Sequence, residues 1–121
     1  MVRNGAKPNE QLERDTLRFL CSILIQPNTR VELLGLLDDS LFTEAIHRVV
    51  FEEIRAIGAV PSRVLRQMLP ARVTGRGFPN FDLKEFLGPS GASESEVEEL
   101  YISVLEMIEL RHGDDGQALK N

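Results

Sequence analysis

Two histidines occur in the 121 residues, and each closes a Glu-x-x-His: Glu44 with His47, and Glu109 with His112. On a helix, positions i and i+3 share a face, so each pair would set a carboxylate beside an imidazole. Two such motifs, joined by one glutamate from each of two other helices, build the di-iron site of a four-helix bundle. Glu10 and Glu13 are the glutamates on hand, but they sit at the start of the first helix, and His112 falls at a helix end beside Gly113. No metal and no cofactor are therefore expected. His47 reads as a partly buried histidine that anchors its helix against the neighbouring turn, with Glu44 and Arg48 solvated. Gly75-Arg76-Gly77 lacks the lysine and the strand-to-helix setting of a phosphate loop, and Ser90 and Ser93 have no nearby histidine to activate them. Cys21, among apolar neighbours, reads as a small core residue. Binding, not catalysis, is the expectation.

Charge gives the second lead. Arg55, Arg63, Arg66, Arg72 and Arg76 fall in a stretch without an acid, whereas ten acids lie between Asp82 and Asp115 against only Lys84 and Arg111. Opposed patches of this kind steer encounters and fix register, so the five arginines are candidate partner-binding residues. The plainer alternative is a pair of solvated faces, or pairing of the arginines with the acidic final helix. The net charge of −5 repels a phosphate backbone, and few aromatics accompany the arginines, so only weak, salt-quenched nucleic-acid binding is expected. A small helical DNA-binding module using Arg63 to Arg76 remains the competing class.

The elements that must position these residues are all helical. Leu12, Thr16, Leu17, Phe19, Leu20, Ile23 and Leu24 predict a helix from Asn9 to Ile25, stopped by Pro27. Asn28 or Thr29 can cap a second helix to about Leu37, apolar over most of its circumference and so expected to be central. After the turn at Asp38, Asp39 and Ser40, a helix over Thr43 to Ile57 carries Ala45, Ile46, Val49, Val50 and Ile54 and ends at Gly58. Ser62 starts a short helix that Pro70 should end, and Ala71 to Asn80 should be a mobile loop. Phe81 to Leu87 can form a turn or two that plugs the core. Ser93 and Glu96 make a capping box for a last helix to about Arg111. The expected fold is all-α, a compact orthogonal bundle of five to six helices in a single domain over residues 9–111. A flexible N-terminus at 1–8 and a flexible polar tail at 112–121 flank it. At 13.6 kDa one core suffices, and no apolar run approaches the ~20 residues of a membrane span. The lone cysteine and the absence of a secretory signal in the N-terminal residues point to a cytoplasmic setting.

One stretch carries more than pattern. Glu10 and Glu13 are followed by Leu17, Leu20, Ile23 and Leu24, then by Asp38-Asp39-Ser40-Leu41-Phe42, then by His47-Arg48-Val49-Val50-Phe51-Glu52-Glu53-Ile54. This order resembles the amino-terminal domain of DnaB-like replicative helicases, the match centring on Phe42, His47, Arg48 and Phe51. Pro61-Ser62, Phe86-Leu87 and the run from Tyr101 to Arg111 follow in order, so the resemblance covers about residues 10–111. The helicase-binding domain at the carboxyl end of bacterial primases resembles the same fold. The resemblance implies a non-catalytic interaction module of the DNA replication machinery, with Phe42, His47, Arg48 and Phe51 as structural motif residues. The implied partner is a replicative helicase or primase component, with self-association as an alternative and no membrane contact. The 121 residues contain no phosphate-binding loop, no motor domain and no second helix of the hairpin through which such domains pair, so hairpin dimerisation is not carried over.

Overall fold

The computed structural model describes residues 9–87 and 94–120. Among the described residues there are six α-helices and one turn of 3-10 helix, with no strand: α1 (Asn9–Leu20), α2 (Pro27–Leu36), the 3-10 turn Asp39–Leu41, α3 (Ala45–Ile57), α4 (Ser62–Gly75), α5 (Leu83–Leu87) and α6 (Glu94–Lys120). The all-α bundle is as the spacings predict. Residues 1–8 and Ser93 lie outside the described residues, and so do the side chains of Phe86, Leu87 and His112.

The first helix is the centre of the bundle, packing against α6, α3 and α5. Leu17 and Leu20 are fully buried, with Phe42, Val50, Phe51, Ile54, Leu65, Leu69, Val73 and Val104 around them. The α2 helix, expected to be central, buries only Arg30, Leu33 and Leu34 and leaves Val31 and Leu36 exposed. Its apolar circumference exceeds the surface available to cover it.

Several boundaries differ from the sequence reading, three of them for a local reason. Helix α1 stops at Leu20, not Ile25, because the Ser22 hydroxyl accepts the Leu24 N–H at 3.1 Å, a side-chain bond that competes with the helical ladder. Pro27 does not merely stop α1. It opens α2 at the first helical position, where its missing N–H costs nothing. Helix α4 runs through Pro70 to Gly75, so Ala71–Gly75 is helical and not loop. Burying Val73 on the stripe begun by Leu65 and Leu69 outweighs the one hydrogen bond that Pro70 forfeits. Gly58, at φ 82°, ends α3 as its position suggested. At the other end, α6 continues past Arg111 to Lys120.

Candidate functional site

The residues singled out by spacing gather in two places. The first is the entry to α3. Helix α3 has no capping side chain of its own at Glu44, and α1 supplies one from a distance. Glu13 Oε2 accepts from the Thr43 N–H at 2.9 Å and the Thr43 hydroxyl at 2.7 Å, while Oε1 accepts from the Glu44 N–H at 3.3 Å and His47 Nδ1 at 2.8 Å. A carboxylate only accepts, so Nδ1 of His47 carries the proton in that bond. Burial alone would raise the Glu13 carboxyl, but the donors from Thr43, His47 and Glu44 outweigh it and hold its pKa below the ordinary 4.5. Both side chains are wholly buried.

The motif residues complete this joint. Arg48 donates from Nε and a terminal nitrogen to the Phe42 carbonyl at 3.3 and 3.2 Å, tying α3 to the turn before it. Phe42 stacks on Phe51 with ring centroids 4.8 Å apart, and the Arg55 guanidinium lies over the Phe51 ring at 5.2 Å. His47 thus anchors its helix as expected, though to α1 and not to the neighbouring turn, and it is fully buried. Glu44 is exposed, and no group of three metal-ligating side chains forms among the described residues. Glu10 pairs with Arg14 instead.

The second place is the arginine stretch, which folds back on its own molecule. Arg72 Nε and an Arg76 terminal nitrogen grip the two oxygens of the buried Glu53 carboxylate at 2.6 and 2.7 Å, and Arg76 also reaches Glu52 at 2.8 Å. Burial raises the Glu53 carboxyl, and the two guanidinium groups more than reverse that, leaving it below its ordinary value. Arg66 donates to the Cys21 carbonyl at 2.8 Å, and Arg55 lies 3.9 Å from Asp39. Of the five, Arg63, exposed at the first turn of α4, alone has neither a hydrogen bond nor an ion pair from its side chain among the described residues. The acids that answer Arg72 and Arg76 come from α3, not from the acidic final helix.

Sequence reasoning did not place the buried charges, of which Glu13 and Arg30 are the most deeply enclosed. Glu13 stands four and seven residues before Leu17 and Leu20, on the buried face of α1, and that register was the available signal. Arg30 stands three and four residues before Leu33 and Leu34 in the same way, and it is fully buried. One of its terminal nitrogens donates to the Ser62 hydroxyl at 2.9 Å and the other to the Val60 carbonyl, while Nε has no acceptor. The Ser62 hydroxyl passes the bond on to the Ile25 carbonyl at 3.2 Å.

A third feature is an apolar flank. Along α6, Leu100, Val104 and Met107 face the core, whereas Tyr101, Ile102, Leu105 and Leu110 remain between 41% and 58% exposed. Tyr101 packs at a tilt against Phe19, ring centroids 5.3 Å apart, and, with Leu33 and Leu36 of α2, borders an open groove of about 530 Å³. No protein-family model matches the chain, and neither a curated protein nor a solved structure shows significant similarity to it.

Proposed function

We propose that the chain is a non-catalytic helical docking module of the DNA replication machinery, of the kind that couples a replicative helicase to a primase. The observation that carries this reading is the apolar flank of α6, where Tyr101, Ile102 and Leu105 stand exposed and Tyr101 borders the α2 groove. Contiguous exposed apolar surface marks interaction sites more often than it marks idle surface. Docking on this flank leaves Arg66, Arg72 and Arg76 to their internal partners and makes the arginine stretch a secondary contributor at most. The resemblance of the Phe42 to Phe51 stretch to helicase amino-terminal domains supplies the class of partner.

The test is co-expression with the host's replicative helicase and primase, read by co-migration in size exclusion. Ile102→Glu with Leu105→Glu should weaken the complex at least tenfold without lowering Tm, since both side chains are outside the core. Failure of both partners to co-migrate with the unaltered chain would sink the proposal. Tight duplex binding at physiological salt, with log affinity falling about 0.9 per phosphate contact against log salt, would replace it with the DNA-binding reading.

A further inference from the structure

The flank formed by α2 and α6 has a charge pattern as well as an apolar one. Glu98, Ile102, Leu105 and Glu109 fall at i, i+4, i+7 and i+11 of α6, so one exposed stripe carries an apolar pair between two carboxylates. It spans about three turns, or roughly 16 Å. Tyr101 widens the stripe toward the groove, where Glu32 of α2 adds a third carboxylate to the rim. Glu32, Glu98 and Glu109 are exposed, and their side chains make no hydrogen bond or ion pair among the described residues.

The cations of the same two helices are turned away from these acids. Helix α2 holds one, Arg30, which is wholly buried with its guanidinium on Ser62 and Val60. Between Glu96 and Arg111 of α6 the one cation is Arg111, and it donates to the carbonyls of Gly35 and Leu37 at 3.4 and 3.0 Å. Arg18 of α1 meets Glu96 at 3.7 Å, off the stripe. The contrast is with Glu52 and Glu53, whose charge Arg72 and Arg76 answer within the molecule. A second copy pairing through the same stripe would set carboxylate against carboxylate, whether the two helices ran parallel or antiparallel, so the charge pattern works against self-pairing here.

We propose that this flank receives an amphipathic helix of its partner, one whose apolar stripe is bordered by lysine or arginine. The inference rests on the docking reading above and adds the chemistry of the partner. Strand addition needs a sheet edge, and there is no strand among the described residues. A polyproline groove is walled by aromatic rings, and Tyr101 is the one aromatic residue that lines this groove. A helix laid in a groove needs a facing apolar surface, which Tyr101, Ile102 and Leu105 supply with Leu33 and Leu36 of α2. The unanswered carboxylates at both ends of the stripe then select a basic helix over an acidic one, because like charges set across an interface reject the wrong partner.

The probe is a labelled leucine–lysine peptide of about fourteen residues, its leucines on one helical face, titrated with the full chain and read by fluorescence anisotropy. Its controls are a leucine–glutamate peptide of the same pattern and a scrambled leucine–lysine peptide with no apolar face. Saturable binding of the first with a Kd of about 10–100 μM is expected, each control being roughly tenfold weaker. Glu98→Lys with Glu109→Lys should weaken the leucine–lysine peptide roughly tenfold and make the leucine–glutamate peptide the tighter ligand. A folding defect cannot produce that reversal, and Tm should hold because both positions are exposed. Co-migration with helicase or primase is a separate readout, so the identity of the partner can fail while the basic-helix preference stands, and the preference can fail while a complex still forms. No saturation, equal binding of the scrambled or the acidic peptide, or a preference unchanged by the lysine pair would overturn the proposal. So would a concentration-dependent dimer abolished by Ile102→Glu with Leu105→Glu, which would give the stripe to a second copy.

Discussion

Glu13 and Arg30 are both wholly buried charges, and the fold treats them in opposite ways. Around Glu13 four donors from Thr43, Glu44 and His47 converge on two oxygens, so the charge is answered inside the molecule. Around Arg30 the acceptors are a hydroxyl and a carbonyl, and one nitrogen is left over. A buried charge whose partners are all present is a joint. One answered only by neutral groups keeps its charge uncompensated inside the molecule. That difference separates a polar centre on which the fold depends from one it only accommodates, although the sequence presents both as a charged residue on an apolar face.

Removing Glu13 should therefore do the most damage. Glu13→Ala leaves two backbone N–H groups, a hydroxyl and an imidazole without their acceptor, and urea unfolding should show a loss of about 3–5 kcal/mol. A loss under 1 kcal/mol would mean that the joint is not what holds α3 to α1.

The pH dependence follows with a defined sign. The folded pKa of Glu13 is depressed below the unfolded 4.5, so its contribution is fully present above that value and fades as pH falls through the folded pKa. Glu53, held below its ordinary value by Arg72 and Arg76, acts in the same direction. Stability measured from pH 7 down to pH 3 should decline over the acidic end of that range. The decline should be shallower in Glu13→Gln, which has no carboxyl to protonate at that position.

Arg72→Glu with Arg76→Glu comes next, at about 1–2 kcal/mol destabilising, discounted because both guanidinium groups are around two-fifths exposed. The change sets two new acids against Glu52 and Glu53. If thermal unfolding shows no loss, those pairs are surface decoration and the arginines return as docking candidates.

Arg30→Met should have the smallest effect, within about 1 kcal/mol of the unaltered chain. Replacing a buried charge that lacks a counter-charge by an apolar side chain of similar length relieves as much desolvation as it forfeits in hydrogen bonds, and Ser62 keeps its bond to Ile25. Chemical denaturation of this variant beside Glu13→Ala sharpens the contrast directly. Equal, large losses would erase it.

The all-helical class and the extent of α3 were legible because two independent signals agreed: an apolar stripe through Ile46, Val50 and Ile54, and Gly58 at the end of it. Boundaries set by one side chain were not. The Ser22 hydroxyl ended α1 early, and Pro70 was outvoted by Val73. The arginine stretch was legible as charge but not as geometry, because its acids, Glu52 and Glu53, lie about twenty residues upstream on another helix. Spacing rules reach one turn along a helix and not across a bundle. For the same reason the Glu-x-x-His at Glu44 and His47 pointed to the wrong carboxylate: the one that meets His47 is Glu13, 34 residues away.

The central helix is made before every element that covers it. Its apolar face is covered chiefly by α6, and Asp15 and Ser103, 3.5 Å apart across that contact, are 88 positions apart in the chain. At a synthesis rate of about 5–20 residues per second, Leu17 and Phe19 wait on the order of 5–20 s for the surface that will bury them. The local pair α3 and α4 can associate during that interval. The long-range docking of α6 on α1 is then the natural candidate for the slow phase of folding.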